Sequence, residues 1–477
     1  MVAARAAALG AEADAVAIKY TTIALLSALA GILAYFASSS YGDYNALPRV
    51  MLAVSFAIFF AIFLISILLG ELSILLFIFA LYHLFFFLLP GMIHMARNIF
   101  PFYEVSFEYS TTLPVSGLVL LYSVSTFLGI CIGLSKRQAA AAPDQIPARK
   151  IRNKDLFLGA MLLLAISIPC IAVSGIHVSR LADSSYDDSP LGLILSSLPS
   201  SAMFLCAIST FYLMRRNSFP SIFLFAITAT IALLVNFPLS LTRFVMFQRI
   251  IALTYMIVDL SRVRLKVCLA VVAVVSIFTV FPTIDYFARG DTSASLDINP
   301  LKYIAESGDL DGLQSTLNVY EMVQSKGLSW GWQFLGALLS YVPRDIWPQK
   351  AYPTGVSAAE FAGYSFTNLS APLISEIYVD FGAVGLALIP VLVGWFIISL
   401  DRRAASMGRE QGHILEKFFY GGLIGYETII LRGSLIAIIS HIYLYGGLIG
   451  MLSFVCRPRR RRIEPLPQRS IKEHALT

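Results

Sequence analysis

The chain has 477 residues, of which 57% are hydrophobic and only 13% are charged. A soluble domain carries about 25% charged residues, so this deficit indicates that lipid is the main solvent. The formal net charge is +6, but the basic residues lie between hydrophobic runs rather than in a patch wide enough for a nucleic acid, which argues against nucleic acid as a partner. Residues 1–17 are alanine-rich, contain Glu12 and Asp14, and do not resemble a secretory signal peptide.

A helix needs about 20 apolar residues to cross the hydrocarbon core, because each residue rises only about 1.5 Å. The apolar runs therefore predict an all-α integral membrane protein, a polytopic bundle of about twelve transmembrane helices with a large structured outer loop. The predicted spans cover residues 18–38, 49–69, 72–90, 111–134, 155–176, 191–214, 219–238, 241–260, 265–284, 373–399, 414–431 and 433–455.

The distribution of basic residues predicts the orientation. About two thirds of the 35 lysines and arginines lie in segments that face the cytoplasm if the amino terminus does, so both termini are predicted to be cytoplasmic. The chain then divides into residues 1–284 with nine spans, an outer loop at 285–372, residues 373–456 with three spans, and a basic tail at 457–477. The five cysteines lie in or beside apolar segments and show no disulfide or metal-ligand spacing.

The outer loop at 285–372 is far longer than a simple connector, and such loops are usually functional. Leucines 310, 313 and 317 recur at helical spacing and predict a helix within it. The apolar run 332–342 is too short to span, so it predicts a helix in the membrane interface or a re-entrant segment.

Ionisable residues within the predicted spans cost roughly 2.5–3.5 kcal/mol each on insertion scales, so each one suggests a functional site. Arg243 and Arg249 begin the eighth predicted span, and Arg249 lies about 9 Å deeper by the helical rise. Snorkelling accounts for Arg243 more easily than for Arg249. Arg432 lies at the outer hairpin of the last two spans, where an ion pair with Glu427 is the structural alternative to substrate binding.

Two carboxylates, Glu376 and Asp380, are spaced i and i+4 at the start of the tenth predicted span and so share one helical face. The loop supplies Arg289, Arg344 and Lys350 to the same side. Arginines suit a pyrophosphate or an acidic glycan, a nearby carboxylate suits a general base, and the aromatic side chains of the loop suit stacking against sugars. Together these features favour a lipid-linked phosphate donor that is used outside the cytoplasm.

Two motifs and one shorter segment carry a family resemblance. Residues 342–350, VPRDIWPQK, resemble the PR-x-x-WP-x-K signature in the outer loop of Wzy-type polymerases, which join O-antigen or other surface-polysaccharide repeat units. Residues 376–385, EIYVDFGAVG, are similar to the E-x-Y-x-x-FG-x-x-G run that begins the next span in that family, and residues 240–243, SLTR, resemble its intramembrane arginine. The span count and the late outer loop match along the whole chain, and the residue-level resemblance covers about 240–440.

The resemblance implies a type C glycosyltransferase-like bundle in the bacterial inner membrane. It implies transfer of a growing glycan from undecaprenyl pyrophosphate to the non-reducing end of a new lipid-linked repeat unit, without nucleotide sugar, metal or other cofactor. Its partners are the undecaprenyl-pyrophosphate-linked oligosaccharides and the lipid bilayer, and it admits a chain-length regulator and a flippase. Gly382 and Gly385 of the matched run are expected to permit close helix packing.

The resemblance also implies roles for individual residues. The arginines expected to hold the leaving pyrophosphate are Arg243, Arg249 and Arg344. The residues expected to position the donor or the acceptor are Arg289, Lys350, Tyr378 and Arg432. Glu376 is the expected base for the acceptor hydroxyl, with Asp380 and Glu427 as alternatives.

Two other functions remain open at this point. An O-antigen ligase shares the lipid donor, but its base is usually sought at a loop histidine, and residues 285–372 contain none. A flippase or secondary transporter of lipid-linked oligosaccharides also fits about twelve spans, but it would place charges near the midplane at broken helices, whereas the charges here cluster at the outer face.

Overall fold

The computed structural model of the protein describes residues 46–69, 73–139, 151–176, 190–215, 219–237, 241–258, 263–289, 300–406 and 413–457, and every regular element in these residues is helical. The α-helices of these residues are, in chain order, α1 (Ala46–Leu68), α2 (Ile74–Arg97), α3 (Tyr109–Ala139), α4 (Asn153–Ser174), α5 (Pro190–Met214), α6 (Phe219–Val235), α7 (Arg243–Ile257), α8 (Val263–Arg289), α9 (Pro300–Glu306), α10 (Gly312–Lys326), α11 (Trp332–Leu338), α12 (Thr354–Phe361), α13 (Leu373–Ser406), α14 (Ile414–Arg432) and α15 (Leu435–Val455).

Eight helices within the described residues are long and apolar enough to cross a membrane, so the chain is a polytopic all-helical membrane protein, as predicted. They lie in α1 to α5, α8, α13 and α15. The predicted span 18–38 lies outside the described residues. Of the other predicted spans, α6 and α7 have only 17 and 15 residues, and α14 carries two charged residues near each end. The count of twelve therefore remains a prediction.

The start of α2 is fixed by two buried charges. Its apolar first turn leaves backbone N–H groups that need acceptors inside the bundle. The carboxylate of Asp401 on α13 accepts hydrogen bonds from the N–H groups of Leu75 and Leu76 at 3.0 and 3.1 Å. Lys266 on α8 donates to the hydroxyl of Ser73 at 3.0 Å. These contacts join α2 to the two helices that carry the charges.

Helices α3 and α13 form the most extensive helix contact of the described residues. A Cβ added at Gly129 would lie 2.1 Å from the carbonyl oxygen of Val391, and one added at Gly394 would lie 2.5 Å from that of Thr126. Backbones approach this closely only where side chains are absent. Glycine on both helices therefore sets their separation.

Residues 300–372, the described part of the segment between α8 and α13, fold as a set of short helices against the bundle. Leu313 and Leu317 are buried in α10, which confirms the helix predicted from their spacing. Leu313 packs against Gly91 of α2, where an added Cβ would lie 3.0 Å from its side chain. The predicted outer loop is thus anchored in the core by α10.

Helix α11 and the turn after it lie beside α15. The hydroxyl of Tyr443 donates to the carbonyl of Leu338 at 3.2 Å, and the hydroxyl of Tyr341 donates to the carbonyl of Ser440 at 2.7 Å. These positions lie about 8 to 12 Å along α15 from its first residue, by the helical rise. The choice between the two arrangements expected for residues 332–342 remains a prediction.

Gly382 does not serve the close helix packing expected of it. Its φ of 58° and ψ of −149° break the helical geometry within α13, and this region of backbone space is open essentially to glycine alone. A Cβ added at Gly382 would meet only Leu328, at 3.4 Å. The glycine is needed for a change of direction just after Asp380.

We expect Gly394→Ala to destabilise the folded protein, because the new Cβ must push α13 away from the backbone of α3. Overpacking of this kind costs about 1–3 kcal/mol. The measurement is the thermal unfolding midpoint of the purified protein in detergent. Gly117→Ala on α3 is the matched control, since an added Cβ there meets nothing within 4 Å. Equal midpoints for the two variants would contradict the packing argument.

Candidate functional site

Two arginines at the ends of α7 and α14 hold the turn that precedes α10. Arg243, the first residue of α7, forms an ion pair with Asp309. Arg432, the last residue of α14, lies 3.5 Å from Asp311 and donates hydrogen bonds to the carbonyls of Gly308 and Asp309 at 3.2 and 3.4 Å. The two guanidinium groups therefore meet at one turn of the predicted outer loop.

Arg432 pairs with Asp311 rather than with Glu427, which corrects the ion pair considered from the sequence. Its guanidinium also lies 4.1 Å from the centroid of the Phe244 ring. Asp311 is buried and accepts a hydrogen bond from the N–H of Ser370 at 3.1 Å. Burial raises the pKa of the Asp311 carboxyl above its ordinary value, while the Arg432 guanidinium opposes this shift.

Arg249 lies on the side of α7 that faces α5. Only 8% of the residue is exposed, and it donates to the hydroxyls of Ser200 and Ser201, each at 3.1 Å. Its guanidinium lies 4.8 Å from the centroid of the Phe204 ring. The Nε and Nη1 groups have no hydrogen-bond partner among the described residues. Arg249 is thus a buried cation with two unused donor groups.

Glu376 is fully buried near the start of α13. Its polar neighbours are the hydroxyls of Thr354 and Ser434 and the N–H of Leu435, which begins α15. Within the described residues neither carboxyl oxygen makes a well-aligned hydrogen bond. The Ser434 hydroxyl instead accepts a hydrogen bond from the N–H of Gly355 at 3.0 Å. Glu376 therefore lies where α12, α13 and α15 meet.

Asp380 is one helical turn beyond Glu376, and its carboxylate binds the start of α11. It accepts hydrogen bonds from the N–H groups of Gln333 and Phe334 at 3.1 and 2.8 Å and from the hydroxyl of Ser329 at 2.6 Å. A carboxylate at a helix N-terminus satisfies open N–H groups and complements the helix dipole. This geometry explains Asp380 as the residue that anchors α11.

Arg344 and Lys350 of the polymerase-like signature close the turn between α11 and α12. Arg344 donates to the carbonyls of Lys350 and Ala351 at 2.6 and 3.0 Å, and its guanidinium lies 3.9 Å from the centroid of the Tyr352 ring. The ammonium group of Lys350 donates to the carbonyl of Val342 at 3.2 Å. These contacts assign both side chains a part in folding the turn.

Tyr378 and Arg289 are the two other residues expected at the site. Tyr378 faces α10, where its hydroxyl accepts a hydrogen bond from Gln324 at 3.2 Å and its ring lies 5.8 Å from that of Tyr320. Arg289 is the last residue of α8, and its side chain lies outside the described part of the chain. The structure thus gives Tyr378 a packing role and leaves the role of Arg289 a prediction.

An apolar groove of about 660 Å³, here called the α13–α14 groove, is lined by α2, α11, α13, α14 and α15. Its apolar walls include Phe334, Leu335, Phe396 and Leu431. Glu427 is the one charged residue among those that line it. Only 8% of Glu427 is exposed, and its Oε2 atom has no hydrogen-bond partner in the described part of the chain.

Asp309 and Asp311 belong to the site but were not expected there. They form an Asp-x-Asp sequence directly ahead of α10, a visible signal of the kind that suits divalent cations. In the structure their carboxylates face Arg243 and Arg432 instead. Among the residues that the structure describes, no group of three or more His, Cys, Asp and Glu side chains is arranged to hold a metal ion.

We expect Arg344→Gln to open the turn between α11 and α12, because one amide cannot replace the guanidinium at two carbonyls and at the Tyr352 ring. Limited trypsin digestion of the purified protein should then cleave after Lys350 several-fold faster than in the wild type. Arg97→Gln, at an exposed arginine that ends α2, is the control. An unchanged cleavage rate in Arg344→Gln would show that the turn does not depend on these contacts.

Comparison with known proteins gives no assignment. No protein-family model matches the chain, and no curated protein or solved structure shows significant similarity to it. The functional interpretation therefore depends on the two motifs, the arginines and the groove.

Proposed function

We propose that this protein is a polymerase that joins undecaprenyl-pyrophosphate-linked oligosaccharide repeat units into a surface polysaccharide on the outer side of the bacterial inner membrane. The observation that carries the proposal is the set of buried or half-buried arginines on α7 and α14, with unused donor groups on Arg249. The matched motifs supply the reaction class, and the α13–α14 groove supplies a place for the lipid.

The arginines support a pyrophosphate site. Among the described residues Arg249 has no carboxylate partner and two of its donor groups are unused. A buried guanidinium in that state is costly, which favours an anionic ligand. Arg243 and Arg432 already bind carboxylates of the loop, and phosphate oxygens accept the same hydrogen bonds from arginine. A pyrophosphate has enough oxygens to engage more than one guanidinium, which would neutralise the leaving group as it departs.

The α13–α14 groove supports a polyprenyl carrier. Its walls are apolar, and along α14 they extend from Leu423 to Leu431, about 12 Å of helical rise. A hydrocarbon chain gains from contact with such walls without needing a polar partner. The carrier would lie along the groove while its headgroup reaches the arginines.

Glu376 is the candidate base. The acceptor hydroxyl attacks C1 of the donor sugar, the bond from C1 to the pyrophosphate oxygen breaks, and the electron pair leaves with undecaprenyl pyrophosphate while a carboxylate takes the proton. Asp380 is held by three hydrogen bonds and Glu427 lines the groove, whereas Glu376 has no well-aligned partner. Because Glu376 is fully buried, the segment at Thr354 must move aside for this step.

We expect Arg249→Ala, Glu376→Ala and Arg344→Ala each to leave a glycan of a single repeat unit in cells whose wild type makes long chains. Arg249 and Glu376 would act on the reactants, and Arg344 would act through the turn that it closes. The measurement is the length ladder of the surface glycan on a gel, with membrane insertion checked by immunoblot. Arg97→Ala is the control and should keep the full ladder. Normal long chains in all three variants would refute the site assignment.

A detergent assay separates the polymerase from its rivals. Purified protein that extends lipid-linked repeat units in detergent excludes transport as the function, because no closed compartment exists there. The transporter gains support from two separate observations, a buried carboxyl at Glu427 on α14 and a helix break at Gly382 on α13. A ligase would leave long chains on the lipid carrier when it is inactivated, whereas loss of the polymerase shortens the chains.

We expect Leu335→Trp to raise the KM for the lipid-linked donor about tenfold, equivalent to about 1.4 kcal/mol. Leu335 lines the α13–α14 groove and is 38% exposed, so the bulkier indole side chain would narrow the groove. Leu388→Trp on α13, at a 62% exposed leucine away from the groove lining, should leave the KM unchanged. An unchanged KM in Leu335→Trp would remove the groove from the donor site.

A further inference from the structure

Three aromatic rings form a cluster at the surface, here called the aromatic platform, where the loop meets the α2–α3 connection. One of the rings is exposed and two are half-buried. The platform consists of Tyr103, Tyr364 and Phe366. The ring centroid of Tyr103 lies 5.2 Å from that of Tyr364 and 6.2 Å from that of Phe366, and the last two rings lie 5.4 Å apart. Tyr103 and Phe366 are inclined by only 22°, so their faces are nearly parallel.

The hydroxyl groups of the platform form hydrogen bonds, while the ring of Tyr103 is exposed to solvent. Tyr103 is 57% exposed, and its hydroxyl is hydrogen-bonded to the hydroxyl of Ser365 at 2.5 Å. The hydroxyl of Tyr364 accepts hydrogen bonds from Gln314 at 2.9 Å and from Asn318 at 3.0 Å. The rings of Tyr103 and Tyr364 are thus held in place by hydrogen bonds at their hydroxyl groups.

The backbone beneath the platform is strained. Tyr103 and Glu104 are consecutive left-handed residues with φ of 60° and 49°, and neither is glycine. Each such residue costs on the order of 1–3 kcal/mol and persists only where its surroundings enforce it. The side chain of Gln314 does so here, because it both accepts from the N–H of Phe102 and donates to its carbonyl, at 2.9 and 3.0 Å. Strain that presents an exposed ring points to a use for that ring.

The platform adjoins the arginines through one residue. The ring of Phe102 lies 4.7 Å from that of Phe366 and packs on Gly308, where an added Cβ would lie 2.6 Å from the ring. The carbonyl of Gly308 accepts the hydrogen bond from Arg432. Phe102 and Gly308 thus connect the platform to the turn that Arg432 binds.

The two segments that carry the platform are acidic in sequence, and one cation from α10 approaches them, the ammonium group of Lys326 at 5.6 Å from the centroid of the Phe361 ring. Residues 102–108 contain Glu104 and Glu108, residues 360–369 contain Glu360, and neither segment contains a lysine or arginine. Carboxylates repel an anionic sugar and accept hydrogen bonds from hydroxyl groups. Flat aromatic faces beside such acceptors match a neutral pyranose, which has C–H groups on its faces and hydroxyls at its edge.

We propose that the aromatic platform is a glycan subsite that binds a neutral pyranose of the oligosaccharide attached to the pyrophosphate. This inference rests on the proposed function for the source of the glycan. The subsite would hold the sugar chain on the loop while the arginines hold the phosphate.

The test is binding of the purified full chain, in detergent, to an immobilised panel of neutral, uronic-acid and phosphorylated oligosaccharides. We expect wild-type protein to bind members of the neutral set, Tyr103→Ala to weaken that binding at least tenfold, and Tyr103→Phe to retain it because the ring remains. Tyr109→Ala, at an exposed tyrosine that begins α3, is the control and should bind as the wild type does. Phe366→Ala gives a second variant and should also weaken binding.

Three outcomes overturn the subsite. They are wild-type protein that binds no oligosaccharide of the panel, a preference for the anionic sets, and equal binding by Tyr103→Ala and the wild type. The length ladder of the surface glycan distinguishes failure of the subsite proposal from failure of the polymerase proposal. If Arg249→Ala abolishes elongation while Tyr103→Ala binds glycans as the wild type does, only the subsite proposal is refuted. If Tyr103→Ala weakens glycan binding but the wild-type protein never elongates glycans, only the proposed polymerase function is refuted.

Discussion

Hydrocarbon solvates neither charges nor open backbone groups, and the rest of this structure depends on how the chain meets that constraint. At one end of the bundle, Asp401 supplies acceptors for the first turn of α2. At the other end, Arg432 finds its acceptors in the loop that precedes α10. Because neither helix end has these partners within its own segment, the ion pairs and hydrogen bonds determine which helices lie side by side.

The turn at 308–311 is where these requirements coincide. It accepts hydrogen bonds from Arg432, pairs with Arg243, and supports Phe102 beneath the aromatic platform. The aspartates of the turn form ion pairs with the two arginines, as an anionic ligand would. Under the proposed function, an anion that replaced them would loosen the contact between the loop and the bundle, and binding of the donor would be coupled to movement of the loop.

The sequence predicted the helices well, because the length of an apolar run is a local property. The predicted span 49–69 corresponds to the helix Ala46–Leu68, and the predicted span 155–176 corresponds to Asn153–Ser174. It did not predict the partners of the charges, since spacing reports only neighbours on one helix. Glu427 lies close to Arg432 in sequence, yet Asp311, far away along the chain, is the residue that pairs with it. The role of Asp380 at α11 likewise depends on a contact across the fold.

The residues of the matched motif and the residues with unpaired polar atoms suggest different roles. Arg344 and Lys350 match the family pattern, and backbone carbonyls already accept their hydrogen bonds. Arg249 and Glu376 are buried, and each keeps polar atoms that the described residues do not satisfy. A buried polar atom without a partner costs about 1–3 kcal/mol, which a bound substrate can recover. Loss of activity on changing Arg344 would therefore measure the folding of the turn, whereas the chemistry is to be sought at Arg249 and Glu376.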